Sequence, residues 1–286
     1  MPTVFVTGAS GNIGAHVIST LVEQQFDVVG GVRKIPDNKQ SFPPGVQLRE
    51  FDFSAPDHEA SLLGCQYVFL LLPPGLPDTQ KLFASFITVM QRARIEHVVF
   101  ISVQGAEKHS SLPHRKIELL LQASGIAYSI LRPSYFMENL STTWLADIKT
   151  RDRLYIPAGK AVFTWIAVED IAAVAVAIFT NPLEHKGQAY TLTGTEHYNF
   201  FEVAAILSAH LHRLINYRPA NALLFFIHQR KKGMTVSQSL AVTLIHFLQR
   251  FQGLQPLTLS VEKITGRRPL TLNAFIEKNK MLFLKS

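Results

Sequence analysis

Gly8, Gly11 and Gly14 stand in G-x-x-G-x-x-G spacing, between the apolar run Val4-Phe5-Val6 and a helical pattern over Ile13–Gln24. Glycine lets a backbone turn sharply at a strand end and approach a pyrophosphate, which then rests on the free N–H groups and positive dipole end of the next helix. The triplet alone carries little information. Strand, glycines and helix arriving in that order within the first two dozen residues make it a nucleotide site, with Gly8, Ser10, Gly11, Asn12, Ile13 and Gly14 as its phosphate-facing turn.

The end of the second apolar run, Gly31-Val32-Arg33-Lys34, bears on which nucleotide is preferred. A carboxylate there bonds the ribose 2′-hydroxyl of NAD; two cations suit the 2′-phosphate of NADP(H), with Arg33 as the forked partner and Lys34 as a point charge. NAD(H) is retained as a second cofactor. By position, Asp52 and Phe53 border the adenine, and Leu72 and Pro73 bring backbone to the cofactor.

These residues need a scaffold that gathers strand ends. Strands are expected at Val4–Thr7, Asp27–Val32, Val46–Phe51, Gln66–Leu72, His97–Ser102 and Ala127–Leu131, alternating with helices over Ile13–Gln24, Thr79–Ala93 and Pro113–Ser124. Such alternation specifies βαβ units, and so an α/β, Rossmann-type, doubly wound parallel sheet. An amphipathic helix is expected over Val168–Phe179 and a closing helix over Thr271–Asn279, with helices on a basic flank beyond about residue 195. The division expected is a nucleotide-binding core over 1–150, returning near 161–195, and a smaller, mainly helical lobe over 196–286.

Composition limits the alternatives. With 47% hydrophobic residues, the 286-residue chain can bury a large core. Its apolar runs fall short of the roughly 18 to 20 residues that span a bilayer, and no signal-like segment precedes the glycine turn, so a cytoplasmic protein with no membrane partner is expected. The lone Cys65 reads as a buried thiol. The net charge of +7 is unevenly spread: residues 1–210 hold 16 Lys+Arg against 19 Asp+Glu, whereas 211–286 hold 12 against 2. Without a helix-turn-helix, zinc ligands or RNA-binding aromatics, no nucleic acid and no metal are expected, and the excess reads as a solvated basic face, with a surface for an acidic partner as the alternative.

Several segments resemble the NmrA-like group of atypical short-chain dehydrogenases/reductases, which includes quinone oxidoreductases, dye reductases and catalytically silent NADP sensors. They are Val6–Gly14, Gly125–Pro133, Tyr135–Leu140, Trp165–Ala172, Phe201–Ser208 and Thr265–Pro269, spread over nearly the whole chain. The resemblance implies a Rossmann core and a smaller lobe that closes a substrate cleft over the nicotinamide. As in that group, the Tyr-x-x-x-Lys pair of ordinary short-chain dehydrogenases is absent. His114 aligns with a histidine of quinone oxidoreductase-like members, so it either protonates an acceptor or bonds the nicotinamide ribose, with a structural histidine as the alternative. Ser102 is a candidate partner of nicotinamide or substrate, and Lys116 falls one position off the expected site. Tyr135, Phe136, Asn139 and Trp144 follow the sixth strand at the carboxyl edge where open sheets bind ligands, and supply flat apolar surface with Tyr135 also as a catalytic candidate. Phe163, Phe225 and Phe226 are assigned to packing.

The activity implied is an NADPH-dependent reductase moving hydride to a quinone or similar conjugated small-molecule acceptor. The alternative is a catalytically silent NADP(H)-sensing regulator acting through a protein partner; a homodimer is compatible with both. Epimerase or dehydratase chemistry is disfavoured because it relies on the missing tyrosine.

Overall fold

All six strands expected in the first half of the chain enter one sheet. In the computed structural model, which describes residues 2–36, 42–55 and 57–285, the order is β1 (Thr3–Val6), α1 (Asn12–Glu23), β2 (Asp27–Val32), β3 (Gln47–Glu50), α2 (Glu59–Leu62), β4 (Tyr67–Leu71), α3 (Thr79–Arg92), β5 (His97–Ile101), α4 (Pro113–Ala123) and β6 (Ala127–Pro133). The chain continues through β7 (Tyr135–Phe136), α5 (Leu145–Arg151), β8 (Arg153–Ile156), β9 (Val162–Ile166), α6 (Val168–Thr180), β10 (Gln188–Leu192), β11 (His197–Asn199) and α7 (Phe200–Leu211). It ends with β12 (Asn216–Pro219), α8 (Ala222–Lys231), α9 (Val236–Leu248), α10 (Ser260–Thr265), α11 (Leu272–Lys278) and α12 (Lys280–Phe283).

Seven strands pair in parallel in the order β10-β6-β5-β4-β1-β2-β3. The order reverses direction at β1 and β4, the switch point outside whose carboxyl ends ligands of open α/β sheets bind. This is the doubly wound Rossmann arrangement expected from the alternating pattern. The seventh strand, β10, was not legible because Gln188-Ala189-Tyr190-Thr191-Leu192 lies at the sheet edge and is largely exposed at its start, so no continuous apolar run marks it.

The residues divide into two units, one of 1–133, 168–192 and 259–267, the other of 134–167, 193–258 and 268–286. The change of unit thus falls at Ser134 rather than at 150, residues 161–167 pack in the second unit, and 259–267 return to the first. The reason for this last return is α10, which packs on α6 and is followed two residues on by Arg267, whose guanidinium meets the buried Asp170 carboxylate at 2.9 Å. α6 keeps the amphipathic pattern expected: Ile171, Ala172, Val174, Ala175, Ile178 and Phe179 form one broad buried face against α1, α10 and the sheet, and Glu169, Ala173, Ala177 and Thr180 form the less buried stripe. On the other face of the sheet, Phe51, Phe53, Phe83 and Phe86 form an aromatic core.

In the second unit β11-β9-β7 and β12-β8 form small sheets. Helix starts follow from local chemistry: Asn199 with Glu202 and Thr235 with Gln238 form capping boxes for α7 and α9, and the Thr271 hydroxyl accepts from the Ala274 N–H to open α11. Among the described residues, no helix is long and apolar enough to cross a membrane.

Two buried histidines make stability pH-dependent. In the first unit the Ser129 hydroxyl donates to the His185 carbonyl at 2.8 Å, so His97 Nε2–H donates to Ser129 Oγ at 2.9 Å. In the second, His246 Nδ1–H donates to the Val242 carbonyl at 2.6 Å, leaving Nε2 to accept from Tyr135. Burial pulls both imidazoles down to about 4 from an ordinary 6.5. The folded value lies below the unfolded one, so the unfolded chain binds more protons between pH 6.5 and 4. Stability contributed by the neutral rings is full above pH 6.5 and lost as pH falls toward 4, by up to about 3 kcal/mol per histidine. Denaturant unfolding between pH 7 and about pH 5 will show that fall, and His97→Gln will flatten it in part.

Candidate functional site

The chain turns at the carboxyl end of β1 in a manner set by Thr7. Its buried hydroxyl donates to the Phe69 carbonyl at 3.1 Å and accepts from the Leu71 N–H at 2.8 Å, tying the turn to the end of β4. Gly8 then takes φ +63°, a left-handed conformation costly for a residue with a Cβ. Its carbonyl accepts from the Gly11 N–H at 2.9 Å. A Cβ at Gly14 would stand 2.2 Å from that same carbonyl oxygen, so α1 lies closer to the turn than any side chain permits.

Helix α1 begins after Gly11 with no side-chain cap and no acidic residue in its first turn. Its leading N–H groups and dipole are therefore turned, uncompensated by any side chain, toward the exposed Ser10-Gly11-Asn12. A pyrophosphate fits this cradle, because it supplies both the acceptors and the negative charge that the chain withholds.

Arg33 and Lys34 follow directly on β2 and are exposed. Asp52 is exposed after β3, where its carboxylate accepts from the Ser54 N–H at 2.8 Å. Phe53 points instead into the aromatic core, stacked on Phe83 with centroids 4.6 Å apart. Leu72 and Pro73 are half-buried at the end of β4.

Ser102, one residue past β5, is buried and donates its hydroxyl to Glu118 Oε1 at 2.6 Å. Glu118 lies fully buried on α4 and accepts from Arg132 Nε at 2.9 Å, from a second Arg132 nitrogen at 2.8 Å and from Arg115 at 2.8 Å. Burial alone would raise this carboxyl; the bonds from Arg132, Ser102 and Arg115 outweigh it and hold the carboxyl below its ordinary range. Glu118 thus stays ionised and keeps the Ser102 proton, leaving the serine oxygen free to act as an acceptor. Of the Glu118 cluster sequence reasoning singled out Ser102 alone; for Glu118 and its arginines the i,i+3 spacing of Arg115 and Glu118 was the one available signal. His114, in the first turn of α4 after Pro113 at the helix start, is half-buried with its ring 6.4 Å from that of Phe100. Burial draws its imidazole below the ordinary value, Glu118 offsetting part of the effect, so the ring is neutral at pH 7. Lys116 is exposed.

Within the second unit Tyr135 and Trp144 are joined by hydrogen bonds: the Tyr135 O–H donates to His246 Nε2 at 2.9 Å and accepts from Trp144 Nε1–H at 3.0 Å, with Asn139 bonded to it as well. Phe163, Trp165 and Phe200 surround this group, and Phe225 packs on Trp144. Burial lifts the Tyr135 phenol well above its ordinary range, and its proton is already engaged. The catalytic part expected of Tyr135 thus meets a phenol that holds the lobe together, and Trp144 sits in the core beside it. Phe136 and Asn139 are half-buried.

The glycine turn at a switch point, an uncapped helix start and a parallel sheet define a dinucleotide-binding protein. The profile of a family described as NAD(P)H-binding matches residues 8–182, more than half of the chain. The chain belongs to that NAD(P)H-binding family. An NAD(P)H azoreductase of Xenophilus azovorans is 29% identical over 98% of this chain and 99% of the relative. The NADPH complex of the quinone oxidoreductase QOR2 of Escherichia coli superposes with a TM-score of 0.83 at 20% identity, over 96% of this chain and 99% of the other. The NADP(H) complex of a Citrobacter sp. triphenylmethane reductase gives 0.82 at 19%, over 96% and 99%.

Gly14→Ala tests the cradle. Its Cβ must displace either α1 or the Gly8 carbonyl, and NADPH affinity is expected to fall at least about tenfold by calorimetric titration, beyond any loss of thermal stability.

Proposed function

We propose that the protein is an NADPH-dependent reductase that delivers hydride to a quinone or a similarly conjugated acceptor. The observation that carries the reading is the uncapped start of α1 behind a glycine turn, with Arg33-Lys34 at the end of the adjacent strand. Gly8, Ser10, Gly11, Asn12, Ile13 and Gly14 would hold the pyrophosphate, and Arg33 with Lys34 the 2′-phosphate. Asp52, Leu72 and Pro73 remain candidate borders of the nucleotide. NADPH, when bound, supplies the hydride.

The chain's own contribution to chemistry is modest. Ser102 offers an oxygen whose proton is kept by Glu118, and His114 offers a neutral imidazole. Neither replaces the lysine-activated tyrosine of ordinary short-chain dehydrogenases. Such a site suits acceptors that accept electrons readily and need orientation more than proton donation, and the azoreductase, quinone oxidoreductase and triphenylmethane reductase named above point to that class. Phe136 and Asn139 are the candidate acceptor-facing residues of the second unit, with Tyr135 and Trp144 supporting them from behind.

The second reading, an NADP(H) sensor acting through a protein partner, draws on the absent Tyr/Lys pair and the basic C-terminal stretch. Steady-state assays with quinones, azo dyes and enones separate the two. Oxidation of NADPH by any of them supports the reductase; tight binding without turnover across the panel supports the sensor. Arg33→Ala should weaken NADPH by about 1.5 to 3 kcal/mol and leave NADH nearly unchanged, as separate titrations will show. Equal losses would remove Arg33 from the 2′-phosphate. His114→Ala should lower kcat/KM for a quinone about fivefold, the worth of one neutral hydrogen bond.

A further inference from the structure

The second unit carries an outward apolar surface that the reductase reading does not use. Helices α8 and α9 pack on each other, and each turns one side to the same buried residue: the rings of Phe225 and His246 lie 6.0 and 5.4 Å from Trp144. Their opposite sides face solvent. On α8 these are Leu223, Leu224 and Ile227, Leu223 being 67% exposed. On α9 they are Val236, Leu240, Leu244, Ile245 and Leu248, spaced so that they form one broad arc, with Ile245 60% exposed. Phe251, just past α9, is 72% exposed.

The charge on this stretch has one sign. From Val203 to Val261 the sequence contains no Asp or Glu, whereas Arg213, Arg218, Arg230, Lys231, Lys232 and Arg250 add six positive charges. Arg230 and Lys231 come three and four residues after Ile227, on the same outward side of α8, and are exposed. Lys232 is paired with Asp147 at 2.5 Å and Arg250 lies over the Phe247 ring at 5.3 Å, whereas Arg230, whose guanidinium donates to the Met234 carbonyl, and Lys231 stand beside the apolar residues of α8.

Monomeric soluble proteins rarely leave so many large aliphatic side chains together in water. A second copy of the chain would bring six more positive charges and, over the same stretch, no carboxylate to pair with them. An anionic bilayer supplies both what the leucines and what the cations require: hydrocarbon just beneath a layer of phosphates. We propose that the α8–α9 hairpin docks the protein peripherally on anionic lipid membranes. The expectation of no membrane partner rested on the lack of a spanning segment, and lying on a surface needs none. The inference stands apart from the identity of the acceptor.

Cosedimentation of the full-length protein with phosphatidylcholine vesicles, with and without phosphatidylglycerol, tests it. Binding is expected only with phosphatidylglycerol, declining as salt rises. L240E/L244E, placed in the apolar arc, and R230Q/K231Q, placed beside it, should each weaken binding about tenfold while NADPH affinity and the melting temperature stay close to wild type. The charge variant leaves every apolar contact in place, so it decides the matter if the glutamates disturb folding. No binding to anionic vesicles, or equal binding to neutral ones, overturns the proposal. So does light scattering that shows a dimer which L240E/L244E separates into monomers, since the face then belongs to a second copy.

Discussion

The approach of α1 to the Gly8 carbonyl is the constraint on which the rest of the nucleotide site depends. No Cβ fits at Gly14, and the left-handed Gly8 directs its carbonyl at the N–H of Gly11, the N-cap residue of α1, so the N–H groups beyond Gly11 stay free. The consequence is a helix that begins against the sheet with its N–H groups unanswered by any side chain. In an isolated domain those groups would be bonded to water alone; a pyrophosphate bonds them better and matches the dipole. Thr7 makes the geometry reproducible by bonding β4 twice, so the turn is fixed at the switch point rather than merely permitted there.

A second constraint works through a buried charge. Glu118 is inside the protein and ionised, which is tolerable because two arginines and Ser102 satisfy its oxygens. The cluster links the ends of β5 and β6 to α4 and in doing so fixes both Ser102 and the start of the helix that carries His114. Removing any one partner would leave a buried charge incompletely paired, so the group acts as a unit. Tyr135, Trp144 and His246 form a comparable unit in the second part of the molecule, but a neutral one.

The parallel sheet was legible because each central strand carries an apolar run and because β1, β4 and β5 are each followed by a turn and a helical pattern; β1, β2, β4, β5 and β6 were bounded within two residues at both ends. The short strands β7, β8, β9, β11 and β12 were not, since they stand outside the alternation of strand and helix that marked β1, β4 and β5, and two to five residues alone cannot show a period against their surroundings. The glycine turn was legible for a local reason, that its residues do their work within seven positions. Glu118, Arg115, Arg132 and Ser102 do theirs across three elements, and Tyr135 meets His246 from 111 residues away. No periodicity encodes such meetings. Phe53 illustrates the same limit: its position after β3 suggested an adenine contact, whereas packing with Phe83 sends it into the core.

Hydrogen exchange at the amides of Asn12, Ile13 and Gly14, with and without NADPH, tests the central claim most directly. Strong protection of these amides by the nucleotide is the predicted result, since their N–H groups would then be bonded to phosphate oxygens. Saturation with NADPH that leaves their exchange unchanged would contradict it and place the pyrophosphate elsewhere.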